Sequence, residues 1–319
     1  MREARADATV GFVTRPFLKG AAFGVIATYI LLWVFPVLAP VAHDAFDGDD
    51  ESIPTLDRMR KRGVARIGFA NEAPYAYLDP DTGRLTGEAP EVARAILGRL
   101  GVERVEGVLT EFGALIPGLQ AGRFDLIAAG MYITPARCRE VAFSNPTYGI
   151  GEALIVRRGN PHQLHSYSDI AAKPGVTLAV VTGAIQRRYA LASGIAEGQI
   201  AVYGDAPSAL AAVAAGRADA YGGTSLTVAD LLAKAADPRL ERATPFTDPV
   251  IDGREVRGYG AFVFRPSDTS LRAAFDRELA DYLGTEAHLA QIAPFGFARE
   301  HLPGDVTAEE LCRPADPKD

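Results

Sequence analysis

"APSALAAVAAGRADAYGGTS" (206–225) runs through an Ala-rich stretch with Leu210 and Val213 three residues apart, breaks at Gly216, and ends as an apolar run on Gly223, Thr224 and Ser225. It reads as a helix, a glycine turn and a strand. An earlier stretch, "EFGALIPGLQAGRFDLIAAG" (111–130), follows the same plan. Aligning Ala121-Gly122-Arg123 on Ala215-Gly216-Arg217 also matches Asp125 with Asp219, Ile116 with Leu210 and Leu119 with Val213. A helix, "AGR" and a strand taken alone make a generic connection. Matches on both sides of that connection indicate two versions of one unit, and so a two-lobed α/β chain.

The neighbouring segments alternate in the same way. "VARIGFA" (64–70) is an apolar run rich in β-formers, followed by the turn-dense loop "NEAPYAYLDPDTGRLTG" (71–87). "EAPEVARAILGRLG" (88–101) carries Val92, Ile96, Leu97 and Leu100 at helical spacing and stops at Gly101, and "VERVEGVL" (102–109) returns to strand. In the second half "TLAVVTG" (177–183), "AIQRRYALASG" (184–194) and "QIAVYG" (199–204) read as strand, helix and strand. Such alternation predicts a parallel sheet in each lobe. Two segments, "GIGEALIVRRGN" (149–160) and "VRGYGAFVFRPSD" (256–268), are placed to join the lobes. The expected organisation is lobe 1 over 57–152 and 258–312, with lobe 2 over 153–257. Two crossings of this kind make a hinge and a cleft that closes on a ligand.

The chain has 319 residues, 48% hydrophobic and 23% charged, enough for two cores without a bias to disorder. Gly20 to Ala42 is a run of 23 residues without a formal charge, long enough to span a bilayer as a helix. Arg2, Arg5, Arg15 and Lys19 precede it and Asp44, Asp47, Asp49, Asp50 and Glu51 follow, which orients the body outside the cytoplasm. Residues 1–42 are therefore expected to be a signal or membrane-anchor segment. An uncleaved anchor is the first reading, and a long cleaved signal is the alternative, with Pro40 spoiling an A-x-A site around Ala39 and Ala42. Residues 43–56, with "DAFDGDDES", read as a flexible acidic linker.

The first 42 residues hold four basic and two acidic side chains, so the remainder of a chain of net charge −7 stands near −9. That balance disfavours nucleic acid as a partner. The five histidines and two cysteines show neither C-x-x-C nor H-x-x-x-H spacing, so no metal or other cofactor is expected. In an oxidising compartment Cys138 and Cys312 are expected to pair and tie the tail to lobe 1, with two unrelated thiols as the alternative.

Ligands of open α/β sheets sit at the carboxyl ends of strands. Those ends present Asn71, Glu72 and Tyr75, then Glu111 and Phe112, then Tyr132, Thr134 and Arg137 in lobe 1. In lobe 2 they present Thr182, Gly183 and Ala184 at a helix start, and Gly223, Thr224 and Ser225. The planar fork of Arg137 suits a carboxylate, with Thr134 and the 183 and 184 N–H groups to complete the grip. A surface arginine paired with Glu140 reads equally well from spacing alone. Tyr75, Phe112 and Tyr132, at three successive strand ends, suit a cage for a cation.

"IGFANEAPYAY", "GEAPEVA", "LIPGLQAGRFDLIAAGMYITPAR" and "FSNPTYGIGEALIVRRGNP" resemble the periplasmic solute-binding proteins of polar-amino-acid ABC importers over about residues 57–300. "GFANEAPY", "TEFGALIPGL" and "AAGMYITPARC" are most similar to the branch that binds ectoine and hydroxyectoine. The resemblance implies a non-catalytic, monomeric, periplasmic receptor that hands a small zwitterion to ABC permease subunits. It implies Glu72 accepting ring N–H groups, Tyr75, Phe112 and Tyr132 as the cage, and Arg137 with Thr134 on the carboxylate. Thr182 and Gly183 would close from lobe 2, with Thr224 at its strand end. Amino-acid binders of this kind place an aspartate after the second "GRxDA" strand for the ligand's ammonium, where this chain reads Gly223-Thr224-Ser225. A delocalised amidinium between rings does not need it. The competing expectations are a receptor for an ordinary polar amino acid, an exported dehydratase using Glu72 or Glu111 as general acid, and a sensor acting through a separate chain.

Overall fold

A computed structural model of the chain describes residues 53–251 and 254–314. The expected membrane segment, 1–42, lies outside the described residues, as does most of the expected linker. Among the described residues no helix is long and apolar enough to cross a membrane. The end of the expected linker is helical: Thr55–Arg62 buries Leu56 and Met59 on one face and stops at Gly63, whose φ of 66° suits a residue without Cβ.

Eleven strands build the two main sheets: β1 (Val64–Phe69), β2 (Arg104–Leu109), β3 (Leu126–Tyr132), β4 (Ala142–Phe143), β5 (Tyr148–Ile150), β6 (Glu152–Arg157), β7 (Leu178–Val181), β8 (Ile200–Tyr203), β9 (Ala220–Thr224), β10 (Leu240–Arg242) and β11 (Gly258–Phe264). The first lobe orders them β2-β1-β3-β11-β4, with β5 also on β11, and the second β8-β7-β9-β6-β10. The sheets are mixed, where alternation predicted parallel ones. β1, β2 and β3 are parallel and β7, β8 and β9 are parallel, but β11 and β6 run against their neighbours. Both reversed strands lie in the crossing segments. They begin at the cleft edge where the parallel strands end, as the register of Glu152 opposite Thr224 and Gly260 opposite Tyr132 records.

The repeated "AGRxD" does the same structural work twice. Gly122 and Gly216 both take a φ of +69°. The carboxylates of Asp125 and Asp219 accept the backbone N–H groups of Arg66 (2.8 Å) and Thr177 (3.0 Å) and so pin the turn to the start of the adjacent strand. Each lobe then buries apolar side chains on both faces of its sheet. Val92, Ile96 and Leu97 of the helix Glu88–Arg99 pack on one face of the first sheet with Phe262, Phe264 and Phe275. In β6, Ala153 to Val156 are all inaccessible, as a strand covered on both faces requires. The helix Ala308–Cys312 returns to lobe 1, where a disulfide joins Cys312 to Cys138.

Candidate ligand-binding site

The site begins at a bend in β3. Gly130 has a φ of +64°, and a Cβ there would stand 2.7 Å from both the Tyr148 hydroxyl and Tyr75 Cδ1, so the missing side chain is what lets two rings close on the strand. The strand ends at Tyr132. Thr134 then caps the short helix Pro135–Cys138, its Oγ1 accepting the Arg137 N–H at 3.2 Å. That turn directs Arg137 back over the strand end. Its guanidinium donates to the Tyr132 carbonyl at 2.8 Å and to the Gly183 carbonyl of the opposite lobe at 3.0 Å, and lies 5.5 Å from the centre of the Phe112 ring. Desolvation in the cleft pulls Arg137 down to about 10, which leaves it charged at neutral pH.

Tyr75 comes from the loop after β1. Its ring packs 5.3 Å from Tyr148 and 5.6 Å from Phe297, and its hydroxyl donates across the cleft to Thr224 Oγ1 at 2.7 Å. Thr227 donates back across the cleft to Glu72 Oε1 at 3.0 Å. Burial raises Glu72, and the Thr227 bond works in the opposite direction. Glu72, Tyr75, Phe112, Tyr132 and Arg137 line one inter-lobe cavity, whose other wall includes Ile185, Gln186 and Thr224. Its volume of about 30 Å³ is room for a water or two, so a solute enters only when the lobes part.

The remaining strand-end residues stand elsewhere. Asn71 and Glu111 line a second, larger cavity of about 340 Å³, which shares Glu72 and Phe112 with the first and is closed from the other lobe by Val181 and Asp205. Thr182 turns its hydroxyl to the Tyr203 carbonyl within its own lobe, at 3.0 Å, and does not line the inner cavity. The Ala184 N–H is spent on the Val181 carbonyl, and Gly183 presents its carbonyl to Arg137. Gly183 matters in another way, since a Cβ on it would stand 2.5 Å from Gly113 Cα across the lobe contact.

Sequence reasoning missed Tyr148, Gln186, Thr227 and two buried carboxyls. Glu152 is 2% exposed and accepts Gln186 Nε2 at 2.9 Å. Burial pushes it up to about 8 against that bond, with Asp248 and Glu72 adding to the rise. Glu88 is 1% exposed and rises to about 7 for the same reason, opposed by a bond from Thr147. The available signal for Glu152 was a single charge embedded in "GIGEALIV", at the mouth of a strand whose next four residues are apolar.

With the site described, comparison with known proteins bears on it directly. The sequence profile of bacterial extracellular solute-binding proteins, family 3, matches residues 65–292. A probable amino-acid ABC transporter periplasmic-binding protein of Sinorhizobium fredii is 42% identical over 262 residues, 81% of this chain and 86% of that protein. The crystal structure of EhuB in complex with hydroxyectoine is similar at a TM-score of 0.74 and 37% identity, covering 82% of this chain and 99% of that one. An ancestral amino acid-binding protein, a precursor of cyclohexadienyl dehydratase, is similar at a TM-score of 0.65 and 29% identity, covering 76% and 99%.

Proposed function

This chain belongs to the bacterial extracellular solute-binding proteins, family 3, and from that premise we propose that it captures ectoine or hydroxyectoine between its lobes and delivers it to the permease of an ABC importer. It binds its solute and does not transform it, and it works outside the cytoplasm. The observation that carries the choice of ligand is that one inter-lobe cavity gathers Arg137, three aromatic rings and the Glu72 carboxylate. The likeness to EhuB with hydroxyectoine supports it.

In this reading the parted lobes expose Arg137, whose guanidinium takes the solute carboxylate by two parallel bonds. The solute's delocalised amidinium lies against Tyr75, Phe112 and Tyr132, with attraction of about 0.5–2 kcal/mol per ring, and donates to Glu72. Thr134 supports the grip by capping the turn that aims Arg137. Closure brings Thr224 onto the Tyr75 hydroxyl, Thr227 onto Glu72, and Thr182 with Gly183 against Gly113. Gly223, Thr224 and Ser225 themselves carry no carboxylate for a free ammonium, which leaves it Glu72 alone among the residues lining the cavity.

The name of the Sinorhizobium relative favours a second reading, a receptor for a polar amino acid. Calorimetry of the full chain with ectoine, hydroxyectoine, glutamine, arginine and histidine separates the two. Saturable heat with an ectoine and none with the amino acids is expected, and the reverse pattern ends the ectoine assignment. The protein further acts as a monomer tethered through residues 20–42. Recovery of the intact chain in membranes washed with alkali, and a monomer mass by light scattering, are the matching expectations.

A further inference from the structure

The hydroxyl of Tyr132 is buried and has no hydrogen-bond partner, although its ring lines the inter-lobe cavity. Oε1 of Glu152 is likewise buried and unpartnered. Each such group costs about 1–3 kcal/mol, and in a native fold it calls for a reason. Tyr132 has no room to relieve the cost by turning, because its ring lies on Gly258, where any Cβ would collide with Cε2.

Gln186 faces the same cavity from lobe 2 and donates its Nε2 to Glu152 Oε2 at 2.9 Å. With its nitrogen committed there, the amide oxygen of Gln186 is the acceptor left to serve the cavity. Glu152 is itself fixed. Its N–H donates to Asp248 Oδ1 at 2.6 Å, and it is the register partner of Thr224, another lining residue. An acceptor from one lobe and an unspent phenol from the other therefore border one small space. Neither is needed for the carboxylate on Arg137 or the cation on the rings.

We propose that Tyr132 and Gln186, the latter oriented by Glu152, form a polar subsite that takes an alcohol hydroxyl carried by the zwitterion and makes the protein prefer the hydroxylated solute. The inference rests on the zwitterion reading given above. An alcohol both accepts and donates, so one hydroxyl satisfies the Tyr132 phenol and gives its own proton to Gln186 Oε1. A solute without it leaves the phenol orphaned inside the closed cleft. Sites built to bond a hydroxyl discriminate strongly against the analogue that lacks it. Tyr132 touches the ligand, and Glu152 is a positioning residue that acts through Gln186.

The test is calorimetry of the full chain, wild type, Tyr132→Phe and Glu152→Leu, with hydroxyectoine and ectoine as a matched pair. Wild type is expected to bind hydroxyectoine about tenfold more tightly. Tyr132→Phe keeps the ring and removes the phenol, so the ratio of the two affinities should fall close to one. Glu152→Leu removes the oxygen that holds Gln186 Nε2, so the amide can turn over and the ratio should again fall. A purely structural role for Glu152 would lower both affinities and leave their ratio intact. Equal binding of the two solutes by wild type, or a ratio that survives Tyr132→Phe, overturns the subsite while leaving the zwitterion reading standing. Binding of neither solute ends that reading, and the subsite with it.

Discussion

Replacing Arg137 by alanine separates binding from folding. The guanidinium makes two bonds to backbone carbonyls, of Tyr132 at 2.8 Å and Gly183 at 3.0 Å. Each is worth about 1 kcal/mol net, and the desolvation that pulls Arg137 down to about 10 is relieved when it goes. The unfolding free energy of the free protein should therefore move by less than about 2 kcal/mol. In the complex the same change strands a buried carboxylate, at about 3–5 kcal/mol, which is a loss of about 100- to 1,000-fold or more in affinity. Lysine keeps the charge without the fork and should fall between the two. Calorimetry gives the affinity, and urea unfolding followed by circular dichroism gives the stability. An affinity kept within tenfold would refute the assignment of Arg137 to the carboxylate. A stability loss as large as the loss in binding would show that Arg137 holds the lobes and not the ligand.

Three further expectations follow from other parts of the fold. Glu88 and Glu152, raised by burial to about 7 and about 8, keep protons that the unfolded chain has already released at those pH values. Stability should thus fall as pH rises from about 5, to about 7 for Glu88 and about 8 for Glu152, by about 1.4 kcal/mol per pH unit for each group while it is protonated only in the fold; Glu152→Gln should flatten the slope in urea titrations, and an unchanged slope would contradict its burial. Gly183→Ala places a Cβ 2.5 Å from Gly113 Cα, so the lobes should fail to meet: small-angle scattering should report a more open protein, and solute affinity should drop at least tenfold. Reducing the Cys138–Cys312 disulfide, which spans 174 residues, should cost about 5 kcal/mol by loop entropy, read as a lower urea midpoint with reductant. A midpoint indifferent to reductant would show that the tail docks without the link.

The helices and strands of both lobes follow from local periodicity, and the repeat of Gly122 and Asp125 as Gly216 and Asp219 is legible because the same turn and the same carboxylate-to-backbone bonds recur in each lobe. Tyr75, Phe112, Tyr132 and Arg137 stood out because a strand end is a position that sequence can mark. Which way a strand runs is another matter. β6 and β11 carry the same apolar signature as a parallel strand, and they are reversed because the chain enters them from the opposite lobe. The sequence likewise offered the N–H groups of Gly183 and Ala184 as partners for an anion and Thr182 as a closing residue, whereas Thr182 bonds Tyr203 within its own lobe and the Gly183 carbonyl sits on Arg137. Gln186 and Glu152 meet through residues 34 apart that no periodicity connects. Periodicity is a property of neighbours along the chain, so the sequence by itself determined the elements and their polar ends. The pairing of those ends depends on how segments remote in sequence, within a lobe and between the two, come to rest against each other, and only the tertiary structure decides it.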